Sequence, residues 1–362
     1  MDRTQAFRVP LIDLKAQYRS LKEGIDSAVA RVLGKGNYVM GDEVEAFEHE
    51  WGSFCGRNYC VGVSSGSDAI YLALKALEVV DGPHPVRAPA FTFWGTVEPV
   101  WRVGENAYLV DVDDDANMLY EDHINHHCVM LPVYLYGRPV HWIDEAVHKG
   151  HIVIEDMAQA HGIRPHGTVG CFSFYPTKNL GAAGQGGAVV TDNKELADIV
   201  RSMRDHGERG GRFRYEYWSG NHRLDEIQAA ILRVKLPHLR EWNTRRRAIA
   251  MHYSYVLRNL PGITIPAWDY EHVWHIYAIR CPKRDGLATY LEKQGIQTAV
   301  RYPIPIHQQP AFEGWSQSSQ SFPSAEAWAR ETLSLPIYPE MTDGHIEYVE
   351  AWVTRWCKEQ YG

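Results

Sequence analysis

Three short stretches of this 362-residue chain carry residues whose type and spacing could do chemistry. In 172–191 (FSFYPTKNLGAAGQGGAVVT), Lys178 sits in a turn between two apolar runs and is followed by Gly181, Gly184, Gly186 and Gly187. A lysine on a tight loop with little charge nearby is easily desolvated, and its amine then attacks carbonyls to form Schiff bases. The glycines lead into a β-type run rather than opening a helix, which excludes a dinucleotide fingerprint, and no Gly-Lys-Ser/Thr forms a P-loop. In 151–162 (HIVIEDMAQAHG), a strand-like run ends in Glu155 and Asp156. That places acidic groups at the carboxyl edge of a parallel sheet, where such folds bind ligands; one carboxylate capping the next helix is the plainer alternative. In 64–69 (SSGSDA), small residues join a strand to a helix. There the backbone can approach an anion, the helix N-terminus offers N–H groups, and Ser67 adds a hydroxyl; an ordinary N-cap reads the same way.

The elements that must position these residues alternate, which predicts an α/β fold with a parallel sheet. Strand-like runs lie at 59–63, 107–110, 128–133, 151–155, 171–174 and 187–191. Apolar residues at Ile70, Ala73, Leu74 and Leu77 follow helical spacing after the first strand, and 140–149 reads as a crossover helix. From Leu224 to about Leu260 the pattern is helical, broken at Pro237. Beyond it, runs at 263–266, 274–280 and 299–302, a helix near 284–294 and a terminal helix from Asp343 resemble a small α+β unit. We therefore expect a large domain over 1–240 and a small C-terminal domain, with its connecting helix, over 241–362.

Composition narrows the class. The chain is 45% apolar and 23% charged, with a formal charge of −8. That balance describes a globular protein and disfavours general nucleic-acid or anionic-membrane binding. No signal peptide or membrane span is evident, and the six scattered cysteines read as free thiols in a reducing cytoplasm. His123, His126 and His127 form a cluster that reads as a solvated turn rather than a metal site, so no metal is expected. Among the 12 tryptophans, Trp94, Trp101, Trp142 and Trp274 flank apolar segments and are expected to pack.

Taken in order, SSGSDA, EDMAQAHG, FSFYPTKNLGAAGQGGAVVT and GNHRLDEIQAA resemble the DegT/DnrJ/EryC1/StrS family of sugar aminotransferases, from about Val9 to the terminal helix. The resemblance implies the aspartate aminotransferase fold of type I pyridoxal-phosphate enzymes: a mixed, mostly parallel sheet in the large domain plus a small α+β domain. It implies pyridoxal 5′-phosphate as cofactor, with Lys178 forming the Schiff base and Asp156 pairing with the ring nitrogen. An adjacent anion raises the pKa of a cationic acid, so such an aspartate keeps the ring protonated. By the same resemblance Gln159 lies beside the ring, Phe93 stacks on it, and Gly66, Ser67 and Ser173 hold the phosphate. Asn221 would reach the phosphate of a neighbouring subunit, implying a homodimer with shared active sites. His307 resembles a residue near the sugar. Arg301 and Tyr302, just before it, are better candidates for a diphosphate than the exposed-looking Arg245, Arg246 and Arg247.

The implied reaction takes an amino group from L-glutamate to a nucleotide-linked keto-sugar, and RLDEIQAAILRVKLPHLREWNTRRR looks more like members acting at a 3-keto than a 4-keto carbon. The alternatives are a 4-keto-sugar aminotransferase, a sugar dehydratase or a non-catalytic cofactor-binding regulator. Dehydrating members carry His in place of the lysine, so Lys178 argues for transamination. Two departures from the family pattern concern substrate pocket and dimer contacts: only IRPHGTVGC separates Gly162 from Phe172, and 105–129 is compact.

Overall fold

The computed structural model describes residues 8–82, 85–120 and 128–362. Helices α1 (Leu14–Ser20), α2 (Lys22–Lys35) and α3 (Asp42–Cys55) precede strand β1 (Tyr59–Val63). Then come α4 (Gly66–Asp81), β2 (Val86–Pro89), α5 (Trp94–Arg102), β3 (Ala107–Val110), β4 (Val129–Met130), α6 (Ile143–His148), β5 (Ile152–Asp156), β6 (Val169–Ser173) and β7 (Gly187–Thr191). After α7 (Lys194–Met203), the chain runs through α8 (Glu226–Lys235) and α9 (Leu239–Leu257) to β8 (Tyr277–Arg280), α10 (Arg284–Lys293), α11 (Pro323–Glu331), β9 (Thr332–Leu335) and α12 (Asp343–Tyr361).

Strands β1 to β7 form one sheet in the order β1-β7-β6-β5-β4-β2-β3. Its pairs are parallel from β6 through β5, β4 and β2 to β3, while β7 runs antiparallel to both β1 and β6. This is the mixed, mostly parallel α/β architecture that the alternating pattern predicts. Helices α4, α5 and α7 cover one face of the sheet; α3, α6 and α8 cover the other. Both faces are therefore dry, which is why β5, β6 and β7 read as continuous apolar runs rather than alternating ones. Strands β8 and β9 pair separately, beside a third cluster built on α9, α10 and α12.

One consequence of the register positions the site. Since β1 and β6 both oppose β7, the C-terminal ends of β1, β2, β5 and β6 share one edge of the sheet, and every candidate stretch opens from it. Several element boundaries differ from the sequence expectation. The strand expected over 128–133 is only Val129–Met130, because Pro132 has no N–H for the ladder, although Val133 bridges Asp156 beyond it. The crossover helix starts at Ile143, after Pro139, and 263–266 contributes a single bridge from Thr264 to Arg280. At Pro237 the expected break is present, as a short 3₁₀ turn that divides α8 from α9. Helices α1, α2, α3, α5, α7 and α11 are not among the expected elements; α7 alone has a clear signal, an Asn193 cap followed by Leu196, Ile199, Val200 and Met203 at helical spacing.

All six cysteines are free and buried. Trp274 is fully buried and stacks on His272 at 3.8 Å; Trp142 stacks on Tyr120, whereas Trp101 is half-exposed with its ring against Trp315. Among the described residues no helix is long and apolar enough to cross a membrane.

Candidate active site

Adjacent residues of a strand face opposite sides, and the Glu155–Asp156 pair is divided in that way. Glu155 turns inward: it accepts the Tyr134 hydroxyl at 2.5 Å and the N–H groups of His166 (3.0 Å) and Gly167 (2.6 Å). It thus ties down the short 163–171 segment, a structural role. Asp156 turns to the sheet edge, with Oδ2 accepting from the Thr96 hydroxyl at 2.7 Å and Oδ1 from the Ala158 N–H at 3.1 Å. Burial raises its pKa, opposed by those two donors and by the charge of Lys178. A buried carboxylate with two weak partners still favours a cation or an N–H donor at its open side.

Lys178 lies in the turn after β6, its backbone N–H bonded to the Tyr175 carbonyl. Its Nζ has no hydrogen-bond or ion-pair partner among the described residues. Burial pulls its pKa down to about 8; the charge of Asp156 opposes this and that of Arg301 adds to it. Next to it, Asn179 donates to the Asn243 side chain and the Val273 carbonyl, holding the turn against α9.

The helix terminus of 64–69 does both things its sequence allows. Ser65 is the N-cap of α4, accepting from the Asp68 N–H at 3.1 Å, while Gly66 and Ser67 lie in the first turn, where N–H groups lack intrahelical partners. This terminus fits tightly against the sheet edge: a Cβ on Gly66 would stand 2.7 Å from the Ser173 Cβ. One on Gly95 would stand 2.5 Å from the Ser67 Oγ. Both positions therefore need glycine for the cradle to close.

Phe93, the N-cap of α5, is half-exposed with its ring 5.5 Å from that of Tyr302. Gln159 bridges this pair to the 3₁₀ turn at Leu135–Gly137, accepting from the Tyr136 N–H at 2.6 Å and donating to the Tyr302 hydroxyl at 3.3 Å. Burial pushes Tyr302 up to about 12, with Arg301 opposing. Two predicted site residues stand apart. Asn221 accepts from Arg223 at 2.9 Å and is exposed, touching none of the others. His307 is buried with its ring 4.9 Å from Phe322 and its Nε2 3.4 Å from Glu326. The cluster of His123, His126 and His127 lies outside the described residues. Thr96, which holds Asp156, gave no sequence signal of its own. The arginine triplet splits as helix geometry requires: Arg245 pairs with Asp343, Arg246 is buried against the Ile337 carbonyl, and Arg247 lines a groove of about 640 Å³ that contains none of the candidate residues.

The gathered groups therefore present an unpartnered amine of lowered pKa, a buried carboxylate, an aromatic face and a helix terminus with a hydroxyl. That donor set fits a flat aromatic aldehyde bearing a protonated ring nitrogen and a phosphate.

Comparison with known proteins agrees. The model of the DegT/DnrJ/EryC1/StrS aminotransferase family matches residues 19–354. A Streptomyces venezuelae protein, dTDP-3-amino-3,4,6-trideoxy-alpha-D-glucose transaminase, is 40% identical over 374 residues, covering 98% of each chain. The erythromycin biosynthesis sensory transduction protein EryC1 of Saccharopolyspora erythraea is 41% identical over 362 residues, covering 95% of this chain and 98% of its own. The crystal structure of S. venezuelae DesV in complex with a ketimine intermediate superposes with a TM-score of 0.90 at 39% identity, covering 97% of this chain and 99% of that one.

Proposed function

The chain belongs to the DegT/DnrJ/EryC1/StrS aminotransferase family, and from that premise we propose that it transfers the amino group of L-glutamate to a nucleotide-linked keto-sugar, using pyridoxal 5′-phosphate. The observation that carries the reading is the unpartnered Lys178 amine, held to a pKa of about 8 within electrostatic reach of buried Asp156.

In this reading Lys178 holds the cofactor covalently, Asp156 pairs with its ring nitrogen, Phe93 and Gln159 flank the ring, and Gly66, Ser67 and Ser173 hold its phosphate. When bound, the cofactor supplies an electron sink that stabilises negative charge at the carbon bearing the amino group. Asp156 keeps a proton on the ring nitrogen, supported from behind by Thr96. Once displaced, Lys178 takes the proton from the donor α-carbon through Nζ and returns it on the product side. Tyr302 and His307 belong on the sugar side of this assignment, and residues 1–240 form the cofactor-binding domain with 241–362 as the smaller one. Amination at the 3-carbon is supported by the name of the S. venezuelae relative.

A homodimer with shared sites is part of the proposal, with Asn221 reaching the partner's phosphate. The segment before Asn221 supports it, since Phe213, Tyr215 and Trp218 expose 71%, 58% and 96% of their surface. Exposed aromatics on one segment mark an interaction surface. The free buried thiols suit a reducing cytoplasm.

Purified protein with pyridoxal phosphate should be reducible by borohydride with label on the peptide containing Lys178. Glutamate should convert it to the pyridoxamine form, and a 3-keto sugar nucleotide should reverse that, with the amination site located by NMR. Label-free protein, or full transamination by Lys178→Ala, would refute the enzyme; binding without conversion would favour a cofactor-holding regulator.

A further inference from the structure

Beside Lys178, on the side of the smaller sheet, lies a cavity of about 30 Å³ walled by Thr177, Ile12, Arg246, His275, Arg301 and Ser334. Its polar wall is unusually short of partners. The Arg301 guanidinium makes no hydrogen bond or ion pair among the described residues. The Ser334 hydroxyl, on β9 and 1% exposed, has no partner, and neither does Nε of Arg246, a residue 2% exposed. Buried polar groups are almost always bonded, so two orphaned buried donors on one small cavity, with the unpaired guanidinium of half-buried Arg301 beside them, call for an acceptor. The fourth group is an acceptor. Asn179 spends its N–H groups on Asn243 and Val273, so its Oδ1 faces His275 Nδ1 at 3.0 Å, which places the proton there and leaves Nε2 a bare, buried lone pair.

Resting on the transaminase reading, we propose that this cavity seats the carboxylate of the amino-acid donor, with Arg301 and Ser334 as its principal donors. The charge fits, because guanidinium and hydroxyl converge on an anion and Arg301 forks naturally onto two oxygens. Size fits as well: a site of this volume admits about two water-sized atoms, which matches a carboxylate and is too small for a phosphate or diphosphate. Position fits, since Arg301 and His275 of the cavity wall both lie within electrostatic reach of Lys178, so a carboxylate seated here leaves the donor's α-carbon near the amine that must move its proton. Arg301 thus serves the donor rather than the diphosphate that its place in the sequence suggested, and His275 Nε2 is free to accept from an N–H of the ligand.

The test uses the cofactor-loaded enzyme and separates its two half-reactions. Arg301→Gln should raise the glutamate concentration for half-maximal conversion by about tenfold or more, a loss of about 1.4 kcal/mol. It should weaken glutarate, a dicarboxylate without an amine, by a similar factor, read from the shift in cofactor absorption. The amino-sugar nucleotide concentration for half-maximal conversion should change by less than about twofold, because Arg301 binds only the donor's carboxylate; any rate change through the Lys178 pKa falls on both half-reactions alike. Arg301→Lys should fall between, and Ser334→Ala should give a smaller effect in the same direction, with melting curves confirming intact folding. Unchanged glutamate and glutarate affinities, or a loss confined to the sugar nucleotide, would overturn the seat. A wild type that makes no pyridoxamine form with any amino acid would instead sink the transaminase reading, and glutarate binding would then decide the seat alone.

Discussion

The depressed pKa of Lys178 can be measured directly in the cofactor-free protein. Burial lowers it from 10.5 to about 8, with Arg301 assisting and Asp156 opposing. At pH 7.5 such a group is about one-quarter neutral, against about one part in a thousand for an ordinary lysine, so about 200-fold more of it can react. Competitive acetylation followed by mass spectrometry of the peptide containing Lys178 should therefore titrate with a midpoint near 8. Removing the opposing carboxylate by Asp156→Asn should move the midpoint lower, and removing the like charge by Arg301→Gln should move it higher. The same shift has a stability signature whose sign is the reverse of the usual lysine case. The folded pKa lies below the unfolded one, so the unfolded chain binds the extra proton between about pH 8 and 10.5, and stability rises with pH across that window. The cost is fully present below pH 8. Its ceiling is about 3 kcal/mol, and because Lys178 keeps part of its surface open to the cleft, roughly half of that is expected as the gain in Lys178→Met at pH 7. A labelling midpoint near 10, or a Met variant no more stable than wild type at pH 7 and gaining nothing relative to it, would refute the reasoning.

Asp156→Asn should reduce transamination by about 100-fold or more while the cofactor still binds, measured as the rate of pyridoxamine formation in a single turnover. Gly66→Ala drives a Cβ to 2.7 Å from the Ser173 Cβ and should weaken cofactor binding by about tenfold in a fluorescence titration while also lowering the melting temperature. Glu226, which is 2% exposed, accepts from the N–H groups of Gly41, Glu43 and Val44 at the start of α3, so Glu226→Ala should cost about 2–4 kcal/mol in urea unfolding. Trp218→Glu places a charge on an aromatic that is 96% exposed and should turn a dimer into monomers in sedimentation; a monomeric wild type would count against the shared site.

Local patterns carried most of what could be read without a structure. The run into Lys178, the Glu155–Asp156 strand end and the cap at Ser65 each depend on residues within a few positions of one another, so their chemistry is written along the chain. Element types follow for the same reason, as apolar periodicity is local; boundaries slipped by a residue or two at β5 and β6 and further where Pro132 or Pro139 intervened, while 263–266 and 299–302 form single bridges rather than strands. The N-terminal helices were illegible because their stability comes from packing on α8 and the sheet rather than from a strong pattern of their own.

What the fold alone decided is which of two equivalent groups faces the site and what stands behind it. The residue pattern alone did not separate Glu155 from Asp156, and only the family resemblance pointed to Asp156; in the fold, strand alternation and the position of the 166–167 backbone send Glu155 inward. Thr96 reaches Asp156 across 60 positions, and Ser334, His275 and Arg301 meet beside Thr177 only because β9 and the segments around it fold back over the Lys178 turn. The arginine triplet, uniform in sequence, divides into three environments because successive residues of a helix point about 100° apart. Chemistry that resides in one side chain and its immediate neighbours is therefore determined by the sequence; burial, pairing and the lack of a partner are properties of distances between remote segments, and those exist only in the folded chain.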